Sequence, residues 1–181
     1  MGMPAERTVW TPSMVRALPD DGKRYEVLDG ELLMTPAPSP RHQAVLARLF
    51  NVLSPYVVQH QLGWVWWSPA DIELSPLTTV QPDLFVVPDE GQGEPQSWGD
   101  VRRLWLVVEV LSPATASADR IKKRPAYQAA GIPEYWILDI DAMMVERWTP
   151  SDERPEVIAD ILEWHPRDDI DPLRIDLARV F

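Results

Sequence analysis

Leu104-Trp105-Leu106-Val107-Val108-Glu109-Val110-Leu111 is apolar at odd and even positions alike and is closed by Ser112-Pro113. A run with apolar side chains on both faces reads as a strand in the middle of a sheet, covered by other elements above and below. Its one charge is Glu109. A carboxylate in that setting loses its hydration, and unpaired its pKa could climb by up to about 3 to 5 units. The rest of the chain must offer it a cation, a shell of hydrogen-bond donors or a place at the rim of the sheet. A strand-end ion pair with Arg or Lys meets that need, and so does a metal ion.

Upstream, Asp83 heads the short apolar stretch 83–87, fenced by Pro82 and Pro88. Alternation puts Asp83, Phe85 and Val87 on one face, and in the longer run Trp105, Val107, Glu109 and Leu111 share a face. If the two strands are neighbours, both carboxylates point the same way. Alone, Asp83 reads as a turn or cap residue. Downstream, Ser117 to Ala130 reads as a helix closed by Gly131. Lys123 lies in its second turn with Tyr127 and Ala130 on the same side, and can reach back over the strand end. The competing reading is a solvated pair with Asp119, four residues away. Lys122 is the neighbouring candidate for either role.

The remaining punctuation is supplied by 19 Pro. Thr11-Pro12 reads as the cap and first position of a short helix through Leu18. Tyr25 to Leu28 and Glu31 to Met34 flank Asp29-Gly30, a type I′ hairpin signal. Ser39-Pro40 caps a helix whose Val45, Leu46, Leu49, Leu53, Tyr56 and Val57 form one stripe. Trp64 to Trp67, Ala70 to Leu74, Glu134 to Ile140 and Met143 to Trp148 read as strands, and Leu173 to Phe181 as a closing element. From residue 40 the order is helix, strands, helix, strands, which predicts an α/β fold with a mixed sheet. Glu26 in the hairpin reads either as a solvent-facing strand residue or as an additional acid. His42, on the helix stripe, reads as a hydrogen-bonded semi-core residue in preference to a base or ligand. Glu31, Asp71 and Glu73 are lesser candidates.

With 181 residues, 45% of them hydrophobic and 25% charged, the chain is expected to form a single domain over 1–181. Zero Cys excludes thiol catalysis, thiolate zinc sites and disulfides. No signal peptide or long apolar span is legible, so a cytoplasmic protein without membrane contact is expected. The net charge of −11 argues against indiscriminate binding to a polyanion. Arg120, Lys122, Lys123 and Arg124 nevertheless stand together, and with Arg41 and Arg102-Arg103 they are the expected contact surface for DNA. Most of the nine Trp fall in expected strands, where core packing explains them. Phosphate-binding glycine loops, Ser/His/Asp elbows and HExxH are missing.

Asp83, Glu109 and Lys123, taken in order, resemble the PD-(D/E)xK phosphodiesterase superfamily, and specifically its Uma-two family of restriction endonucleases. The resemblance spans roughly residues 24 to 140. It rests on Tyr25 to Leu32, Pro40-Arg41-His42, Gln81-Pro82-Asp83, Val108 to Thr115, Asp119 to Lys123, Tyr127, Gly131 and Glu134 to Asp139. It implies a restriction-endonuclease-like core, a mixed central β-sheet flanked by helices in the order helix, three-strand meander, helix, strand, here with an N-terminal hairpin. It also implies a Mg²⁺ site, with Mn²⁺ as substitute, on Asp83 and Glu109, Glu26 as a further acid, DNA as substrate and a homodimer. The superfamily's lysine usually stands two residues after the glutamate, where this chain has Leu111. The family likeness moves it to Lys123. The alternative is a catalytically inactive nuclease fold that binds a protein or nucleic acid partner.

Overall fold

The computed structural model describes residues 8–19, 21–91, 93–112 and 116–181, so the Pro113 to Thr115 part of the family likeness and residues 1–7 lie outside the described residues. Helix α1 (Pro12–Arg16) starts at Thr11, whose side chain accepts from the Met14 N–H. Strands β1 (Arg24–Leu28) and β2 (Glu31–Thr35) pair antiparallel. Their turn has positive φ at Asp29 and Gly30, as a type I′ turn requires. Helix α2 (Pro40–Gln59) is capped by Ser39 and buries Val45, Leu46, Leu49, Leu53 and Val57 along the expected stripe.

Next come β3 (Gly63–Trp67), β4 (Ile72–Ser75), β5 (Thr78–Val80), β6 (Leu84–Pro88) and β7 (Leu106–Val110). A short α3 (Ala116–Ala118) passes through a π-helical turn (Asp119–Lys123) into α4 (Arg124–Ala129), followed by Gly131 at φ +69°. The expected uninterrupted α-helix over 117–130 is therefore widened at its centre. Strands β8 (Glu134–Asp139), β9 (Met144–Trp148), β10 (Glu156–Ile158), β11 (Ile161–Trp164) and β12 (Leu173–Asp176) complete the fold.

The principal sheet has the order β10-β9-β8-β7-β6-β3, and a second sheet has β2-β1-β5-β4. Within the first, β3, β6 and β7 form the antiparallel meander, with β4 and β5 leaving it to join the hairpin, and β8 lies parallel to β7. This is the mixed α/β architecture expected. A parallel neighbour needs a crossover, and α3 to α4 supply it. One face of the sheet packs under α2 and the C-terminal residues Ile175, Leu177 and Val180. The other packs against the hairpin sheet and Tyr127 of α4. Covered on both faces, β7 is buried at all five positions. Each aliphatic side chain so buried is worth roughly 1.5 to 3 kcal/mol, which holds Glu109 among its apolar neighbours.

Candidate active site

The antiparallel register of β6 and β7 pairs Leu84 with Val108 and Phe85 with Val107. One step further, Asp83 stands opposite Glu109, both on the face that carries Phe85, Val87 and Val107. The backbone of β6 ends at this point, and the Asp83 side chain continues the ladder: its Oδ2 accepts from the Val110 N–H at 2.9 Å. His42 Nε2, from the first turn of α2, lies 2.9 Å from the same oxygen. Oδ1 has Arg24 Nη1 at 3.6 Å. Burial pushes the Asp83 carboxyl up. The contact with His42, the Lys123 charge and the Val110 N–H outweigh it and hold the group below the ordinary carboxylate range.

Lys123 arrives from the π-helical turn. Its Nζ lies 3.0 Å from Glu109 Oε1, 3.0 Å from Glu26 Oε2 and 3.5 Å from Asp119 Oδ1. The wider turn, closed by an Arg124 N–H bond to the Asp119 carbonyl, turns both Asp119 and Lys123 inward. All four of these charged residues are buried. Glu26 was legible as a solvent-facing strand residue or an added acid; it is fully buried. It accepts from the Gln81 N–H at 2.7 Å and from Thr35 at 3.0 Å. Glu109 Oε1 also accepts from the Tyr127 hydroxyl at 2.8 Å.

Burial drives Glu109 well above its ordinary pKa; the Lys123 ammonium opposes this, and the carboxylates of Asp83, Asp119 and Glu26 reinforce it. For Lys123, burial favours the neutral amine, but the facing carboxylates prevail and hold the ammonium charged. Four buried carboxylates thus share one buried ammonium, a cluster short of positive charge.

Arg24, Thr35, His42, Asp83, Glu109 and Lys123 line a cleft of about 420 Å³. Among the described residues Glu109 Oε2 takes no hydrogen bond, and Asp83 Oδ1 has only the long approach of Arg24. These two oxygens, on facing strand ends, are carboxylate donors, the ligand type that hard divalent cations take. Among the described residues no three of His, Asp and Glu close around a single point. A cation here would therefore keep several waters, as Mg²⁺ prefers.

The other candidates lie apart from this cluster. Lys122 turns outward to Glu31, 2.5 Å away, so of the two lysines it is Lys123 that meets Glu109. Asp71 accepts from the Gln81 side chain at 2.7 Å, and Glu73 pairs with Arg16. Sequence reasoning passed over Arg24, the burial of Asp119 and the bond from Tyr127. The last two share the Lys123 side of one helix and were open to detection by spacing. Arg24 carried no sequence signal beyond lying two residues before Glu26.

A family model described as "Putative restriction endonuclease", Uma2, matches residues 12–169, nearly the whole chain. The chain belongs to the Uma2 family. A solved structure titled as a "putative nuclease belonging to DUF820", from Anabaena variabilis, superposes with a TM-score of 0.75 at 18% identity, covering 95% of this chain and 97% of that one. That likeness shows the fold. No curated protein matches the chain. Of the segments that carry the sequence resemblance, Arg41-His42, Asp83, Glu109 to Ser112, Asp119 and Lys123 line the cleft.

Proposed function

We propose that this Uma2 protein is a divalent-metal-dependent endonuclease that hydrolyses DNA phosphodiester bonds, with Mg²⁺ held by Asp83 and Glu109. The observation that carries the reading is the meeting of Asp83 and Glu109 across two strand ends, with the Lys123 ammonium 3.0 Å from Glu109. A bound Mg²⁺ would neutralise phosphate charge and acidify a coordinated water. The chain's own residues do the rest. His42 and the Val110 N–H fix one Asp83 oxygen, leaving the other for the ion. Lys123 presents fixed positive charge at the cleft wall, where the transition state of phosphoryl transfer is most anionic. Glu26 clamps Lys123 from behind, and both its oxygens are already engaged.

The test is cleavage of linear, supercoiled and single-stranded DNA by purified protein with Mg²⁺ or Mn²⁺. Metal-dependent nicking that disappears in Glu109→Gln is expected. Failure of every DNA form with either metal, or full activity in Glu109→Gln, overturns the reading. Calorimetric titration with Mn²⁺ addresses the inactive binding module: no heat of binding to the parent protein favours that alternative.

No helix among the described residues is long and apolar enough to cross a membrane. A cytoplasmic location and a homodimer belong to the same proposal and are read by cell fractionation and by sedimentation.

A further inference from the structure

Arg24 opens strand β1 two residues before Glu26, so the two side chains leave the strand on one face. Both meet Gln81. Glu26 accepts from the Gln81 N–H, while Arg24 donates from Nη2 to the Gln81 carbonyl at 2.9 Å and from Nε to its side-chain oxygen at 3.1 Å. Nη2 also donates to Ser68 Oγ at 2.6 Å. The Gln81 side chain is itself tied to Asp71, at 2.7 Å. A guanidinium anchored at Nε and Nη2 is fixed in its plane, because the group is flat and its donors form a rigid fork.

The third nitrogen is left over. Arg24 and Asp83 both line the cleft, and Nη1 lies 3.6 Å from Asp83 Oδ1, beyond hydrogen-bond reach. Among the described residues Nη1 makes no hydrogen bond. An arginine placed to neutralise Asp83 would close to a charge-assisted bond of about 2.7 to 2.9 Å. The other lysine and arginine of the cleft are committed: Lys123 is buried among three carboxylates, and Arg41 binds Asp141 and the Ile140 carbonyl. Asp83, Glu109, Asp119 and Asp141 line the same space. An anion entering there is repelled by the acids and meets one guanidinium with donors unspent. Arginine stays charged at every working pH, and its N–H groups bond phosphate oxygens strongly.

The geometry points to Arg24 as the phosphate-binding residue of the cleft: its Nη1 holds a non-bridging oxygen of the DNA phosphate brought to Asp83 and Glu109, and Gln81 positions it. This rests on the nuclease reading above and adds the group that recognises the anionic substrate.

The test is fluorescence anisotropy with a short fluorescein-labelled oligothymidylate, in Ca²⁺ to keep the strand intact, at salt from about 50 to 200 mM. Arg24→Gln is expected to weaken binding roughly tenfold at the low end. It should also lower the slope of log affinity against log salt by about 0.7, the share of one single-strand phosphate. Arg24→Lys keeps a charge without the fork, and is expected to retain the parent slope at reduced affinity. A role confined to tying the hairpin to Gln81 and Ser68 changes stability and leaves the slope alone. Melting curves identify a variant that does not fold, and Arg24→Met, which keeps the apolar stem, then replaces Arg24→Gln. An unchanged slope in the folded uncharged variant overturns the proposal, and so does a parent that binds no DNA or binds it without regard to salt. In each of these cases, cleavage that still depends on Glu109 leaves the nuclease reading standing. If no DNA binds and none is cleaved, both proposals fall.

Discussion

At the scale of single residues, the cluster sets the burial of negative charge against stability. Burial and the facing carboxylates hold Glu109 well above its ordinary 4.5. A carboxyl whose folded pKa is raised favours the folded state below its unfolded pKa, and that contribution is lost as pH rises through the folded value. Glu109→Gln fixes a neutral group of nearly the same shape. Parent and variant are expected to melt alike near pH 4, with the variant higher by a few degrees at pH 8 in metal-free buffer. A variant that melts lower at pH 8 would mean that the Lys123 pair outweighs the burial of the charge. Lys123→Ala has the opposite sign. It leaves Glu26, Glu109 and Asp119 without their buried cation, and a loss of about 3 to 5 kcal/mol at pH 7 is expected in denaturant unfolding. A loss under about 1 kcal/mol would mean that water already enters the cluster.

At the scale of elements, the site is where three local devices meet. Starting β6 only at Leu84 frees Asp83 to take the ladder position opposite Glu109. The type I′ hairpin carries Glu26 against the sheet. The π-helical turn aims Asp119 and Lys123 inward while Ile121 between them faces solvent. The first two were legible, because proline fences, alternation and Asp29-Gly30 are local signals. The third was not: a π-helical turn has no residue signature, and an ideal α-helix gave Lys123 an equally good solvated pairing with Asp119. Strand β5 was missed for a related reason, since three residues after a turn are too few for periodicity to register. Helix α2 was read nearly in full from its stripe, and that stripe supports both the sheet and His42. Leu53 sits at its centre, fully buried. Leu53→Ala is expected to cost about 2 to 5 kcal/mol, whereas Val58→Ala on the exposed face stays within about 0.5 kcal/mol. Urea unfolding of the pair reads the contrast, and similar losses would place the buried stripe wrongly.

At the scale of the whole molecule, charge is where the sequence misleads most. The cluster Arg120, Lys122, Lys123, Arg124 looks like a free basic face. In the fold, Arg120 bridges Asp139 and Glu146, Lys122 meets Glu31, Lys123 is buried, and Arg124 lies over the Trp148 ring. Arg41 pairs with Asp141. Nearness in sequence says nothing of which acids fold onto a base, and a chain of net charge −11 has acids to spare. Few cations are left to displace counterions from DNA. The logarithm of the binding constant falls with the logarithm of salt by about 0.9 per phosphate neutralised. If only about two phosphates are met, raising salt from about 50 to 200 mM weakens binding by only about tenfold. Anisotropy titrations across that range in Ca²⁺ give the slope directly. A fall of a thousandfold would require six or more phosphate contacts, and the surface ion pairs would then have to open and turn their arginines and lysines toward the DNA.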